Sequence, residues 1–366
     1  MSGSSFGNQF RITTWGESHG KALGVVIDGC PAGIELSEDD IQKFLDRRKP
    51  GKSKFETQRK ESDTAQIMSG VFEGRTTGTP ISILIMNEDH RSSDYSEIEG
   101  YYRPGHADYS FDSKYGFRDY RGGGRSSGRE TAARVAAGAV AIKILNTLGI
   151  EVTAYSRSIG GISIDYNNFD IAERDRNPFA IPDSSVVKAI EEKATDAIRN
   201  CDSVGGIIEC VVKGMPAGVG ETVFDKLDAN ISKAIMSIGA TKGIEIGDGF
   251  MAADSLGSIN NDEFYINDGI VSKVTNHSGG ILGGMSDGSD IIFRTAIKPT
   301  PSIASKQNTV NRNGEEIQIN IKGRHDPMIA PRAVVVVEAM TACTLVDMLM
   351  ANMTAKIDNM IKVYKK

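Results

Sequence analysis

Between Arg103 and Arg134 the chain reads RPGHADYSFDSKYGFRDYRGGGRSSGRETAAR, setting six arginines, one histidine and three consecutive glycines in one segment. Gly122, Gly123 and Gly124 allow a sharp turn and a close backbone approach to a ligand. Arg125, Ser126 and Ser127 follow at what reads as a helix start, where guanidinium, hydroxyl and unpaired backbone N–H groups are donors together. Such a set suits a multiply anionic ligand, although one segment alone also reads as a solvated basic loop capping an ordinary helix. Three of the five histidines lie on glycine- or proline-rich loops. His19 follows Trp15-Gly16-Glu17-Ser18, His106 lies in Arg103-Pro104-Gly105-His106-Ala107-Asp108, and His325 in Gly323-Arg324-His325-Asp326-Pro327. A loop histidine among arginines is a candidate general acid, because its pKa lies near cellular pH. Taken singly, each reads equally as a structural hydrogen-bonding residue. His90 and His277 lack such a context and read as structural.

Net charge is −6, yet the arginines gather in 47–60, 103–134 and 324–332. Basic clusters on an acidic background suit a small polyanion in a pocket rather than a nucleic acid along a surface. The single RGGGR, without repeats, does not make an RNA-binding arginine-glycine box. No two histidines stand at ligand spacing, and Cys30, Cys201, Cys210 and Cys343 match no zinc pattern, so no metal site is expected. Four cysteines in 366 residues do not form a disulfide scaffold. No apolar run of membrane length and no leader is read, which makes the cytoplasm the expected location.

The elements that must position these residues show an internal echo. Residues 25–34 read VVIDGCPAGI and 210–219 read CVVKGMPAGV, each an apolar strand, a Gly-X-Pro-Ala-Gly turn and an entry to an amphipathic helix. Ser37 is the expected N-cap of the first helix, followed by Glu38, Asp39 and Asp40. Thr222 is the expected cap of the second, with Phe224, Leu227, Ile231, Ala234 and Ile235 at helical spacing. The echo predicts a duplicated α+β core folded as one domain over 1–366, with halves roughly 10–160 and 200–355; a chance Pro-Gly turn is the alternative. Further strands are expected at 66–72, 80–87, 150–155, 205–213, 289–297 and 316–322. Helices are expected at 129–148, 184–199 and 331–353. Val334 to Val337 favours strand within the last, but its length and the Leu345-Val346-Leu349 spacing favour helix. Glycine-rich stretches at 239–258 and 278–289 read as functional loops.

Three separated motifs resemble the chorismate synthase family: GESHGKALGVVIDGCPAG at 16–33, GGGRSSGRETAARVAAGAV at 122–140 and GRHDPMIAPRAVVVVEAM at 323–340. RPGHADY at 103–109, EIGDGF at 245–250 and KPTPS at 298–302 also fit, so the resemblance spans essentially the whole chain. It implies an α+β sandwich of helices between antiparallel sheets, assembled as a homotetramer. It also implies 1,4-trans elimination of phosphate from 5-enolpyruvylshikimate 3-phosphate to chorismate, the last common step of the shikimate pathway. That reaction requires reduced FMN without net redox change. A substrate with a phosphate and two carboxylates, beside a flavin phosphate, suits forked arginine donors.

By resemblance, Ser18 and His19 lie at the substrate, His19 protonating the departing phosphate. Arg48, Arg103 and Arg129 clamp phosphate and carboxylates. His106 lies at the flavin ring, and Asp326 works with the flavin in removing the ring proton. Arg125, Ser126, Ser127, Gly239, Ala240, Gly283, Lys298, Pro299, Thr300, Pro301, Ser302 and Arg324 bind FMN. Lys54 stands where many relatives carry arginine, and Gly239 where an asparagine is expected. NADPH, as flavin reductant only, is placed near Arg48 and Lys54 in some family members. Two rivals stay open at this level. A flavin reductase would consume nicotinamide in proportion to product, and a phosphometabolite-binding protein would need the arginines without His19, His106 and Asp326.

Overall fold

The computed structural model describes residues 3–51, 53–56, 61–88, 98–121, 123–321 and 326–365. Its first half runs β1 (Ser5–Phe6), β2 (Arg11–Gly16), β3 (Ala22–Asp28), α1 (Glu38–Arg48), β4 (Ala65–Ser69), the hairpin β5–β6 (Val71–Phe72 and Arg75–Thr76), β7 (Ile81–Met86), α2 (Asp108–Tyr115) and α3 (Thr131–Thr147). The second runs β8 (Glu151–Ile159), β9 (Ile162–Ser163), α4 (Ser184–Arg199), β10 (Gly206–Lys213), α5 (Leu227–Met236), β11 (Thr241–Ile246) and α6 (Gly257–Asn260). Three hairpins and a strand follow: β12–β13 (Phe264–Asn267 and Ile270–Lys273), β14–β15 (Ile281–Leu282 and Met285–Ser286), β16 (Ile291–Ile297) and β17–β18 (Lys306–Val310 and Glu316–Asn320). The helices α7 (Ala330–Asn352) and α8 (Ile357–Tyr364) close the chain's described part.

Two antiparallel five-stranded sheets result, ordered β1-β2-β3-β7-β4 and β11-β16-β10-β8-β9. Read from one end, β2-β3-β7-β4 and β8-β10-β16-β11 use their strands in the same chain order, with α1 and α5 each following the second strand. The two Pro-Ala-Gly turns are held alike. Thr76 Oγ1 donates to the Pro31 carbonyl at 2.6 Å and accepts from Ile34 N at 3.0 Å. Ser286 Oγ donates to the Pro216 carbonyl at 2.6 Å and accepts from Val219 N at 3.0 Å.

Each sheet turns one apolar face inward, as the period of two requires: Ile81, Ile83 and Ile85 of β7, and Ile291 and Phe293 of β16, are fully buried. Between the sheets lie α3 against β3 and α7 against β8 and β10, the two helices packing on one another. Both helices are apolar on nearly all sides, which only a core helix tolerates. Their close approach depends on Gly138, where a Cβ would lie 2.2 Å from that of Ala339. The Val334–Val337 run is therefore helix, because burial between sheets outweighs β propensity. α7 is also long and apolar enough to cross a membrane, contrary to the sequence reading, but 83% of its most apolar window is buried inside the protein.

Ser37 and Asp40 form a reciprocal capping box at α1. At α5 the expectation fails. The helix begins at Leu227 with Lys226 as cap, Thr222 is not a cap, and Phe224 is 89% exposed. The Leu227 N–H goes to the Gly284 carbonyl at 2.8 Å, so the β14–β15 hairpin and not a side chain closes this helix start. Leu227, Ile231, Ala234 and Ile235 are buried on its inner face as the spacing requires.

Candidate active site

His19 and Ser18 occupy the loop between β2 and β3, Ser18 buried and His19 half-buried. Asn87, just past β7, fixes that loop by donating from Nδ2 to the carbonyls of Glu17 and Gly20 at 2.9 and 2.8 Å. Its Oδ1 accepts from Arg129 Nε at 2.9 Å. Arg129 Nη1 then donates to Asp63 Oδ1, while Asp63 Oδ2 accepts from Arg48 Nε at 3.2 Å and from Arg48 Nη2 at 2.5 Å. The Arg48 carbonyl, at the end of α1, accepts from Arg332 Nε at 3.1 Å, and Arg332 Nη1 donates to Asp326 Oδ2 at 2.6 Å. One continuous series thus joins the His19 loop, both arginines Arg129 and Arg48, and Asp326.

The electrostatics of this series are set by burial. Arg48 is 2% exposed. Desolvation holds its guanidinium down at about 10, with Asp63 opposing and Arg332 and Arg129 adding to the depression. Asp63 is fully buried at φ +50°, in the left-handed region, and the two guanidinium groups hold its carboxyl below the usual range despite burial. Burial pushes the Asp326 carboxyl up, with Arg332 opposing. Asp326 Oδ1 is buried without a hydrogen-bond partner among the described residues.

A second group of loops carries the remaining residues. Arg103 is buried and donates from Nε and Nη2 to Asp108, both at 2.8 Å. His106 Nδ1 lies 3.0 Å from the Pro104 carbonyl oxygen and Nε2 2.9 Å from Ser302 Oγ. A carbonyl can only accept, so Nδ1 carries the proton and Nε2 accepts from the Ser302 hydroxyl. Burial, then the nearby Arg103, push the imidazole down to about 4, so it is neutral at cellular pH. Lys298 Nζ donates to the Gly105 carbonyl at 2.9 Å, Lys298 N to the Ala240 carbonyl at 2.9 Å, and Ser203 Oγ to the Thr300 carbonyl at 2.7 Å. Residues 103–106, 239–240 and 298–302 are thereby one unit, and a Cβ at Gly105 would lie 2.7 Å from Pro301 Cβ. Ala240 holds φ +73°, a conformation a non-glycine residue adopts at a cost.

The 123–127 turn joins the two groups. Arg125 donates to the Gly16 carbonyl at 3.0 Å and to Thr14 Oγ1 at 2.7 Å, gripping β2 just before Ser18. Ser127 Oγ accepts from Arg129 N at 3.3 Å, and Ser126 Oγ donates to the Gly123 carbonyl at 2.7 Å. Asp119 lies between the turn and the histidine loop; Arg121 hydrogen bonds hold its carboxyl down, and His19 contributes. The glycine and helix entry at 123–131 therefore secure the β2 end as well as presenting donors.

Not every expected residue converges here. Gly283 lies in the β14–β15 hairpin at the N-terminal end of α5, whereas Gly239 and Ala240 follow its C-terminal end; ten helical residues span about 15 Å. Lys54 is exposed, pairs with Glu191 at 2.7 Å and lies over the Phe55 ring. Gly122, Arg324, His325 and His90 lie outside the described residues. Sequence reasoning missed Asp63, Asn87 and Arg332, whose only signal was polarity beside apolar strands or a helix start. His277 pairs with Asp248 at 2.7 Å, away from this series.

The segments fit a flavin mononucleotide on two observations. Asp326 Oδ1 and Thr300 Oγ1 are buried polar atoms without a hydrogen-bond partner among the described residues. Thr300 belongs to the unit of Lys298 and His106, and Asp326 adjoins it through Pro327, whose carbonyl accepts from Val204 N beside Ser203. At Gly239, nothing lies within 4 Å of where a Cβ would stand, leaving the backbone open to a close ligand.

Fold and site together define an α+β sandwich protein with a buried arginine–carboxylate network. A sequence model described as chorismate synthase matches residues 10–350, and the chain belongs to the chorismate synthase family. A chorismate synthase of Lachnospira eligens is 65% identical over 366 residues, covering 100% of both chains. One of Paramagnetospirillum magneticum is 53% identical over 96% of this chain and 98% of the relative. A crystal structure of chorismate synthase superposes with a TM-score of 0.76 at 31% identity, over 95% of this chain and 94% of that one. The activity is accordingly that of a lyase acting on a phosphate ester in aromatic amino acid biosynthesis.

Proposed function

We propose that the arginine series and the His106 loops together carry the family reaction, elimination of phosphate from 5-enolpyruvylshikimate 3-phosphate to give chorismate. The observation that carries this reading is the unbroken hydrogen-bond series from the His19 loop through Arg129, Asp63 and Arg48 to Asp326. Reduced FMN, when bound, supplies electron density that helps to expel phosphate. Arg48, Arg129 and Arg103 bind the phosphate and carboxylates, each already oriented by a carboxylate so that little side-chain entropy is lost on binding. Ser18 adds a hydroxyl. His19 gives a proton to the departing phosphate, and Asp326 takes the proton that the ring releases. Neutral His106 presents a fixed imidazole to the cofactor side. Arg125, Ser126, Ser127, Gly239, Ala240 and the Lys298–Ser302 loop hold FMN. Closed loops and buried charges keep water out, which strengthens each contact.

The reductase alternative is separated by stoichiometry. Photoreduced FMN at a few per cent of substrate, under anaerobic conditions, should support complete phosphate release. One flavin oxidised per product would overturn the lyase assignment of this site.

We also propose a homotetramer acting in the cytoplasm. The β12–β13 hairpin supports assembly: Phe264, Ile266, Ile270 and Val271 are all at least 60% exposed. A two-stranded hairpin with apolar side chains in water is marginal alone, which supports a partner surface there.

A further inference from the structure

Arg332 stands in the first turn of α7, facing the end of α1. It makes two contacts of different kinds with one guanidinium. Nε donates to the Arg48 carbonyl at 3.1 Å, a group that a helix C-terminus leaves without an intrahelical partner. Nη1 donates to Asp326 Oδ2 at 2.6 Å. The Asp326 side chain is 10% exposed, and its backbone is fixed by the next residue, since the Pro327 carbonyl accepts from Val204 N at 2.9 Å. With Oδ2 held, Oδ1 remains buried and without a partner among the described residues.

We propose that Arg332 is a positioning residue for the reaction: it pins Asp326 Oδ2 to the end of α1, so that Oδ1 is the oxygen left to take the proton. The inference rests on the reading of Asp326 as proton acceptor. The balance is simple. The ring C–H bond breaks and an O–H bond forms at Oδ1. The C–H electron pair becomes ring π bonding, and phosphate leaves with the pair of the C–O bond. Asp326 ends neutral beside Arg332.

Arg332 also sets the charge state of this carboxyl. The groups facing Asp326 are Arg332 from α7 and Glu56 from the segment after α1; Arg48 and Arg129 lie one step further, beyond Arg332. Burial favours the protonated form first and Glu56 adds to it, while the Arg332 charge and hydrogen bond, and then the Met328 backbone N–H, oppose them. Loss of Arg332 therefore moves the ionisation upward, and the acid limb of activity moves with it.

The test uses full-length Arg332→Gln and Arg332→Lys, with Asp326→Asn as control. One readout is the pH dependence of the single-turnover rate with reduced FMN bound. The other is infrared titration of flavin-free protein, following the protonated carboxyl C=O band that Asp326→Asn removes. In Arg332→Gln both midpoints should rise by about one to three pH units, the usual effect of an opposite charge at this range. Part of the lost rate should return on the alkaline side. Arg332→Lys should keep the midpoints near the parent but lose rate at every pH, since an ammonium cannot join the Arg48 carbonyl to Asp326 Oδ2 in the same fork geometry. Unmoved midpoints in Arg332→Gln, or a parental rate in Arg332→Lys, would overturn the proposal. Near-parental turnover in Asp326→Asn would instead overturn the reading of Asp326, whatever the Arg332 variants show.

Discussion

A histidine held near about 4 is a base waiting for a partner rather than an acid at cellular pH. His106 has its pKa depressed by burial and by Arg103, so the folded protein disfavours its proton. The sign follows: the stability tied to His106 is fully present above its unfolded value, near ~6.5, and is lost as pH falls towards the folded value. In histidine-resolved NMR titrations its ring should titrate near about 4. A midpoint near the unperturbed value in the parent would refute the tautomer and burial argument. Asp63 makes a different demand. It holds two guanidinium groups at once while fully buried. Asp63→Ala would leave Arg48 without its carboxylate and Arg129 with Asn87 and, at 3.6 Å, Glu61, and breaking such a buried pair costs about 3–5 kcal/mol. Chemical denaturation should show that loss; a change below ~1 kcal/mol, the scale of surface pairs, would mean the site relaxes around the gap.

Among the helices, the crossing of α3 and α7 fixes how far apart the two sheets stand. Gly138 sits where that crossing is tightest. Replacing a helical glycine with alanine normally gains ~1 kcal/mol of propensity. Here the added methyl would meet Ala339 Cβ at 2.2 Å and its Cα at 2.4 Å, atoms of a second buried helix that cannot step aside. Overpacking of this kind costs about 1–3 kcal/mol or more. Gly138→Ala should therefore lower the melting temperature, and activity should fall with it because Arg129 lies in the turn leading into α3 and Arg332 in the first turn of α7. An unchanged or raised melting temperature would show that the helices separate easily.

Across the whole molecule, the apolar hairpin β12–β13 projects while its base is rigid. Lys273 Nζ, 2% exposed, is held by Asp262 at 3.0 Å, Asp287 at 2.7 Å and Ser278 Oγ at 2.7 Å. A firmly anchored arm with an exposed apolar surface is suited to another copy of the chain. Light scattering should give a tetramer for the parent and a smaller species for Ile266→Asp, with the fold retained by circular dichroism. A monomeric parent, or an unaltered mass in the variant, would remove the arm from assembly.

Much of this arrangement was legible in local patterns. Short apolar and β-branched runs marked β7, β8, β10 and β16, the Ser37–Asp40 cap marked α1, and motif order along the chain marked the family. Such signals lie within a few residues of one another, so the sequence alone carries them. What it could not carry was which charged groups meet. Asp63, Asn87 and Arg332 are ordinary polar residues until folding brings Arg129 across 66 positions and Arg332 across 284 to complete their partners. The start of α5 is decided the same way, by a carbonyl of a hairpin far along the chain rather than by Thr222. Motifs give the chemistry because reactive groups need particular residue types. Pairing, burial and pKa come only from tertiary structure, because each depends on distance and exclusion of water between segments remote in sequence.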